Sequence, residues 1–192
     1  MFNSRRSILT GAAALAVAPI AQALAQAQPQ ASRDPAAMPM PDVSGVRTAK
    51  QFAMGVIGPA ELSRVTSQIA MERATNPMAK EFAGFEHTEA VAVTTVLKEL
   101  GTPVPPMDAK AQATLDKIKA APNGAAFDRA YIMAQYENHE FLRDLATAYL
   151  KNSPAGTAEM AEKQGQHLAT LALATFKEHV AITKRISGEL QA

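Results

Sequence analysis

From about Val46 onward, apolar residues recur every three or four positions, the period of a helix with one buried face. The first such segment starts between Val46 and Ala49. It runs through Glu61, Leu62, Val65, Ile69 and Glu72 to about Thr75, and is expected to kink at Gly58-Pro59, where proline cannot donate to the preceding turn. Asn76-Pro77 restarts the helix, with Asn as cap and Pro in the first turn. The second segment places Phe82, Phe85, Val93, Val96, Leu97 and Leu100 on one broad face and stops at Gly101, before Thr102-Pro103-Val104-Pro105-Pro106. A short connecting helix, Met107 to Ala121, carries Leu115 and Ile118 and is closed by Pro122-Asn123-Gly124.

A third long segment, Ala125 to Lys151, holds Phe127, Tyr131, Ala134, Phe141, Leu145 and Ala148 near one stripe. After the turn Asn152-Ser153-Pro154-Ala155-Gly156, a fourth runs from Thr157 to Leu190 with Leu168, Leu171, Ile182 and Ile186. Runs of β-branched residues with period two are missing. The expectation is an all-α, up-down four-helix bundle over residues 46–192, with a short connecting helix between the second and third long ones.

The N-terminus has a different character. Arg5-Arg6, an apolar stretch from Gly11 to Ala21, and Ala23-Leu24-Ala25 form the charged, apolar and small-residue regions of a signal peptide over residues 1–25. Roughly a dozen apolar residues fall short of the about 20 that span a bilayer, and no later segment qualifies, so no transmembrane segment is expected in the mature chain. Ser4-Arg5-Arg6-Ser7-Ile8-Leu9 is similar to a twin-arginine signal, although Ile8 and Thr10 depart from its usual Phe and Lys. Residues 26–45 are rich in Gln, Ala and Pro, without apolar period, and are expected to form a flexible tether. Met38 and Met40 within it are a soft thioether pair, weighed as a copper site and set below plain linker. Together these features lead to the expectation of a periplasmic protein.

Loss of Arg5 and Arg6 with the signal takes the formal charge from +1 to −1, so the mature domain is nearly neutral. That argues against nucleic acid as a partner, which calls for a basic face. The chain has no cysteine, which excludes thiolate ligation and thiol catalysis and leaves the core alone to hold an exported domain together. No phosphate loop, nucleophile elbow or His-Glu-x-x-His occurs, so enzymatic turnover is not the favoured reading.

Candidate chemistry lies in histidines and carboxylates spread over the four long helices: Glu61 on the first, Glu86 and His87 on the second, Glu137, His139 and Glu140 on the third, and His167, Glu178 and His179 on the fourth. Imidazole and carboxylate in a bundle interior hold zinc, copper, iron or manganese. Counted from the Asn76 bend, Glu61 and His87 differ by roughly 6 Å in height. Counted from Ser153, His139 is level with His167, while His179 lies roughly 18 Å deeper unless part of residues 152–164 is loop. The doubled Glu-x-x-His of di-iron proteins is missing, since Gly84, Tyr136 and Phe176 precede His87, His139 and His179 by three. A lone histidine in such a helix is more often a hydrogen-bonded boundary residue than a ligand. Glu140 with Arg143 reads as an intrahelical ion pair, and Asp128 as a charge complementing its own helix dipole.

Several pieces in order carry a resemblance: Phe52-Ala53-Met54-Gly55 with Glu61-Leu62 and Ile69-Ala70; Ala74-Thr75-Asn76-Pro77 with Phe82-Ala83 and Glu86-His87; Ala126-Phe127-Asp128-Arg129-Ala130-Tyr131 with His139; and Leu173 with Phe176-Lys177-Glu178-His179. Over nearly all of residues 50–190 the chain resembles an exported, ferritin-like domain-of-unknown-function family often labelled "predicted outer membrane protein". The resemblance implies a ferritin-like four-helix fold in the envelope, without a settled activity. It also implies Glu61, His87, His139 and His179 as recurring polar positions, one per helix. The chain departs from the family in a His139–His179 separation about one heptad longer and in Ala174 where proline is usual, which keeps His167 as the alternative to His179. Nothing in the sequence supports an outer-membrane barrel. The leading expectation is a metal or small ligand held within the bundle by Glu61, His87, His139 and His179, with zinc, copper and iron equally admissible. The rival is a metal-free module that docks an envelope protein.

Overall fold

A computed structural model describes residues 42–191. The expected signal peptide, most of the expected tether and the Met38/Met40 pair lie outside the described residues. Five helices follow: α1 (Ala49–Arg73), α2 (Pro77–Glu99), α3 (Ala109–Ala120), α4 (Ala125–Asn152) and α5 (Met160–Glu189), with no strand among the described residues. None of them is long and apolar enough to cross a membrane.

Local signals set most helix ends. Thr48 and Gln51 form a capping box at the start of α1, and Asn76 Oδ1 accepts from the backbone N–H groups of Met78 and Ala79 at the start of α2. Gly101 and Gly124 take φ values of +82° and +90°, ending α2 and opening α4 where other residues would be strained. α5 begins at Met160 rather than Thr157, because the turn through Pro154 and Gly156 (φ +68°) delays it. α1 passes through Gly58-Pro59 as one unbroken helix. Tertiary contacts hold it there: Asn138 donates to the Pro59 carbonyl at 3.2 Å, and Gly55 lets the Leu145 side chain approach within reach of its own Cβ position.

α1 packs along α2, α4 packs along α5, and α1 also lies against α4 and α5; α3 rests on α1 and α4. Two carboxylates tie the ends together. The Glu162 carboxylate accepts from Ala49 N–H at 2.9 and 3.0 Å, and Tyr149 Oη donates to the same carboxylate at 3.2 Å. At the other end, Asp128 accepts from Thr75 N–H, Thr75 Oγ1 and Asn76 N–H at 3.0, 2.7 and 2.9 Å. Asp128 therefore holds the α1–α2 bend while standing, as expected, in the first turn of its own helix.

The core has two apolar clusters. One gathers Phe52, Val56, Ile57, Leu97, Leu142, Leu145, Tyr149 and Phe176, with Phe52 stacked on Tyr149 at 5.1 Å. The other gathers Ala79, Phe82, Ile118, Phe127, Tyr131, Ile132 and Ile186. Between them, on every long helix, the buried positions turn polar: Ser63, Thr66 and Ser67 on α1, Glu86 on α2, Gln135 and His139 on α4, His179 and Thr183 on α5. The apolar face expected for α2 is right for Phe82, Val93 and Leu97 but is shifted round the helix at its other positions. Phe85, Val96 and Leu100 are exposed, as is Leu171 on α5, while Phe82, Glu86, Ala90 and Leu97 face inward. Apolar periodicity misplaces the face because the inner stripe itself carries the polar layer.

Candidate metal centre

The polar layer is fully paired: no buried side-chain nitrogen or oxygen among the described residues lacks a partner. On the α1 side, Ser63 Oγ donates to Gln135 Oε1 at 3.0 Å, and Gln135 Nε2 donates to Thr66 Oγ1 at 2.9 Å. Ser67 shares a hydrogen bond of 2.8 Å with Tyr131 Oη. These contacts fix how α4 is rotated against α1, and thereby where the next turn of α4 points His139.

On the other side of α4, three side chains from three helices converge. Glu86 Oε2 lies 3.2 Å from His139 Nε2 and 2.9 Å from His179 Nδ1, and the two ring nitrogens are 3.1 Å apart. The side chains are 5%, 2% and 6% exposed. Phe82 meets both rings edge-on, at 5.1 Å from His179 and 6.3 Å from His139, and Phe176 closes on His139 at 6.1 Å.

The outer nitrogens determine what the inner ones can do. His139 Nδ1 is 2.8 Å from the Gln135 carbonyl, which can only accept, so this nitrogen carries the proton. His179 Nε2 faces Glu89 Oε2 at 3.3 Å, another acceptor, which favours a proton on this nitrogen as well. In the neutral rings, His139 Nε2 and His179 Nδ1 then present lone pairs to each other and to a carboxylate oxygen. Three electron-pair donors meeting at such distances require a positive charge among them, either a proton or a metal ion.

Electrostatics in the metal-free protein follow from this. Burial alone would raise the Glu86 pKa, but the charges and hydrogen bonds of His139 and His179 outweigh it and hold the carboxyl well below the usual range. Burial pushes His139 down, yet Glu86, the Gln135 carbonyl and Glu89 leave it above its ordinary value.

The remaining residues singled out in the sequence lie elsewhere. Glu61 is bound by Lys98 and Arg64, both at 2.7 Å, and belongs to the outer surface of the α1–α2 pair. His87 is half-buried, one position round α2 from Glu86, and is not part of the converging group. His167 is exposed. His139 meets His179 and not the His167 of the depth count because α5 overhangs the end of α4. Tyr149 is already beside Glu162, and a Cβ at Gly165 would lie 2.8 Å from Tyr149 Oη, so the point of α5 level with His139 falls further along. Glu140 pairs with Arg143 at 3.5 Å, though Asp144 holds that guanidinium more closely at 2.9 Å.

Two contributors lie outside the ligand set expected from the sequence. Glu86 was noted beside His87 but left out of the expected ligand set; its spacing of four from both Phe82 and Ala90 marked it as inward-facing. Glu89 carried no signal beyond lying three residues further along the same helix.

The molecule is thus an all-helical protein with a buried group of two histidines and one carboxylate between two apolar clusters. Residues 25–186 match the family model described as a domain of unknown function, DUF4142, and the chain belongs to that family. No curated protein and no solved structure matches it.

Proposed function

We propose that this is an exported, periplasmic protein in which a ferritin-like, up-down bundle of α1, α2, α4 and α5, with α3 as connector, binds one transition-metal ion through Glu86, His139 and His179. One observation carries this reading: three donor atoms lie 2.9–3.2 Å apart, with the other nitrogen of each imidazole facing an acceptor. Ligands about 2.0–2.2 Å from an ion and about 90–109° apart are separated by roughly 3.0–3.4 Å, so the triangle fits one ion just off its plane. The Gln135 carbonyl and Glu89 are the outer partners that keep metal-binding imidazoles in the correct tautomer. Two histidines and one carboxylate suit zinc, ferrous iron or copper alike. Metal handling in the envelope, rather than turnover of a substrate, is the role that such an enclosed centre supports. The expected set of Glu61, His87, His139 and His179 is accordingly replaced in this proposal by Glu86, His139 and His179.

The second reading, a metal-free module docking an envelope partner, draws on the exposed Phe85, Val96 and Leu100 of α2. Elemental analysis separates the two. The mature protein, purified from periplasm without chelator or affinity tag, is expected to carry near-stoichiometric metal, and a folded His139→Ala, His179→Ala double variant none. Wild-type protein that stays metal-free and takes up no zinc, copper or ferrous iron on dialysis would favour the docking module.

A further inference from the structure

One line of side chains leads from the buried centre toward solvent. Glu86 and Glu89 lie one turn apart on the same face of α2. Glu86 is 5% exposed and Glu89 45%. The His179 ring bridges them, with Nδ1 at 2.9 Å from Glu86 Oε2 and Nε2 at 3.3 Å from Glu89 Oε2. Carboxylate, imidazole and carboxylate thus form a continuous ladder of metal-binding groups from the surface to the interior.

The other approaches are walled. Phe82 and Phe176 cover the rings, and the Gln135 turn of α4 backs His139. α1 with α2 and α4 with α5 are packed along their lengths, whereas α2 shares no extended backbone contact with α4 or with α5. The seam between α2 and α5 is where Glu89 stands. The exposed Glu178 on α5 adds a second negative charge there. The mouth of the seam thus carries the carboxylates of Glu89 and Glu178, with Glu86 behind them, and clustered carboxylates attract cations.

Resting on the metal-binding reading above, we propose that Glu89 is the entry carboxylate of the centre: it takes a divalent cation from solvent at the α2–α5 seam and delivers it past the His179 ring to Glu86. A divalent ion gives up its waters in steps, and a half-exposed carboxylate able to swing between solvent and His179 replaces the first of them. Release runs back along the same path. An entry group therefore changes the rates of uptake and release together, whereas a group that only orients His179 changes affinity and leaves uptake alone.

The test is stopped-flow mixing of the metal-free mature protein with Co2+, followed by the visible absorption of the bound ion, for wild type, Glu89→Gln and Glu89→Asp. The amide keeps an acceptor for His179 Nε2–H and removes the charge. Equal bound Co2+ at saturation and matching far-UV circular dichroism show that each variant is folded with its centre intact. Uptake by Glu89→Gln is expected to slow about five- to tenfold, with Glu89→Asp between it and wild type, and 0.5 M salt should narrow the gap. An uptake rate unchanged in Glu89→Gln, with wild type binding normally, overturns the entry role and leaves the metal centre standing. Wild type that binds no Co2+, zinc or ferrous iron at all removes the centre and the entry role together.

Discussion

Glu86 is the residue on which the middle of the molecule turns. It is the only carboxylate within the converging group, and without it two histidines face each other across 3.1 Å with no negative charge between them. Breaking a buried ion pair by removing one partner leaves an uncompensated charge or an unmade hydrogen bond. Glu86→Ala is expected to destabilise the metal-free protein by about 3 kcal/mol in urea unfolding. Glu61→Ala should cost about 1 kcal/mol or less, because its Lys98 and Arg64 partners are solvated, and should leave bound metal unchanged.

The same residues give the metal-free protein a pH signature. Glu86 titrates below its unfolded value, so its contribution is complete above about pH 4.5 and is lost as pH falls. His139 titrates above its unfolded value, so its contribution is complete below about pH 6.5 and is lost as pH rises through the folded value. Metal-free protein should accordingly be most stable on the acid side of neutrality. Urea midpoints measured from pH 4 to 9 should fall on the alkaline side for wild type and stay flatter there for His139→Ala.

At the scale of helices, two junctions decide how the elements are placed. Gly165 lies where α5 crosses the start of α1 and the end of α4. A Cβ there would meet the Ala49 side chain, stand 2.8 Å from Tyr149 Oη, and lie 3.2 Å from the Ala49 Cα, which cannot rotate away. Gly165→Ala is expected to lower stability by about 1–3 kcal/mol through overpacking, read as a reduced thermal midpoint, despite alanine's better helix propensity. The bend between α1 and α2 depends on Asp128 from another helix. Asp128→Ala leaves two backbone N–H groups and the Thr75 hydroxyl without their acceptor and should cost about 2–3 kcal/mol. Helix content by circular dichroism should be retained in both variants at low temperature, since the change acts on packing.

For the molecule as a whole, the polar layer gives up core stability for the centre on which the proposed function rests. Two apolar clusters hold the four long helices at either end, and the layer between them gives up hydrophobic contact for hydrogen bonds and charge. A bound ion should restore part of that stability. Metal at a hundredfold excess over Kd adds about 2.7 kcal/mol, which for a chain of this size raises Tm by roughly 5–10 °C. Scanning calorimetry of wild type should show this shift and its reversal by chelator, and the His139→Ala, His179→Ala variant should show none.

Helical class and most helix ends were legible in the sequence because their causes are local. A period of three to four, Asn76-Pro77, Gly101 and Pro122-Asn123-Gly124 each act within a turn or two of chain. The centre was legible only in part. Histidines and carboxylates on separate helices announced a polar interior, and the family resemblance drew attention to His139 and His179. Which of Glu86 and His87 faces inward is a matter of about 100° of helix rotation. That rotation is set by Phe82, Ala90 and Leu97 burying against other helices. Whether His139 meets His167 or His179 depends on how far α5 overhangs α4, and Gly165, Tyr149 and Glu162 determine that from the far end of the bundle. Local chain chemistry therefore specified the helices, and contacts between residues distant in sequence chose their rotation and offset, on which the meeting of three donor atoms depends.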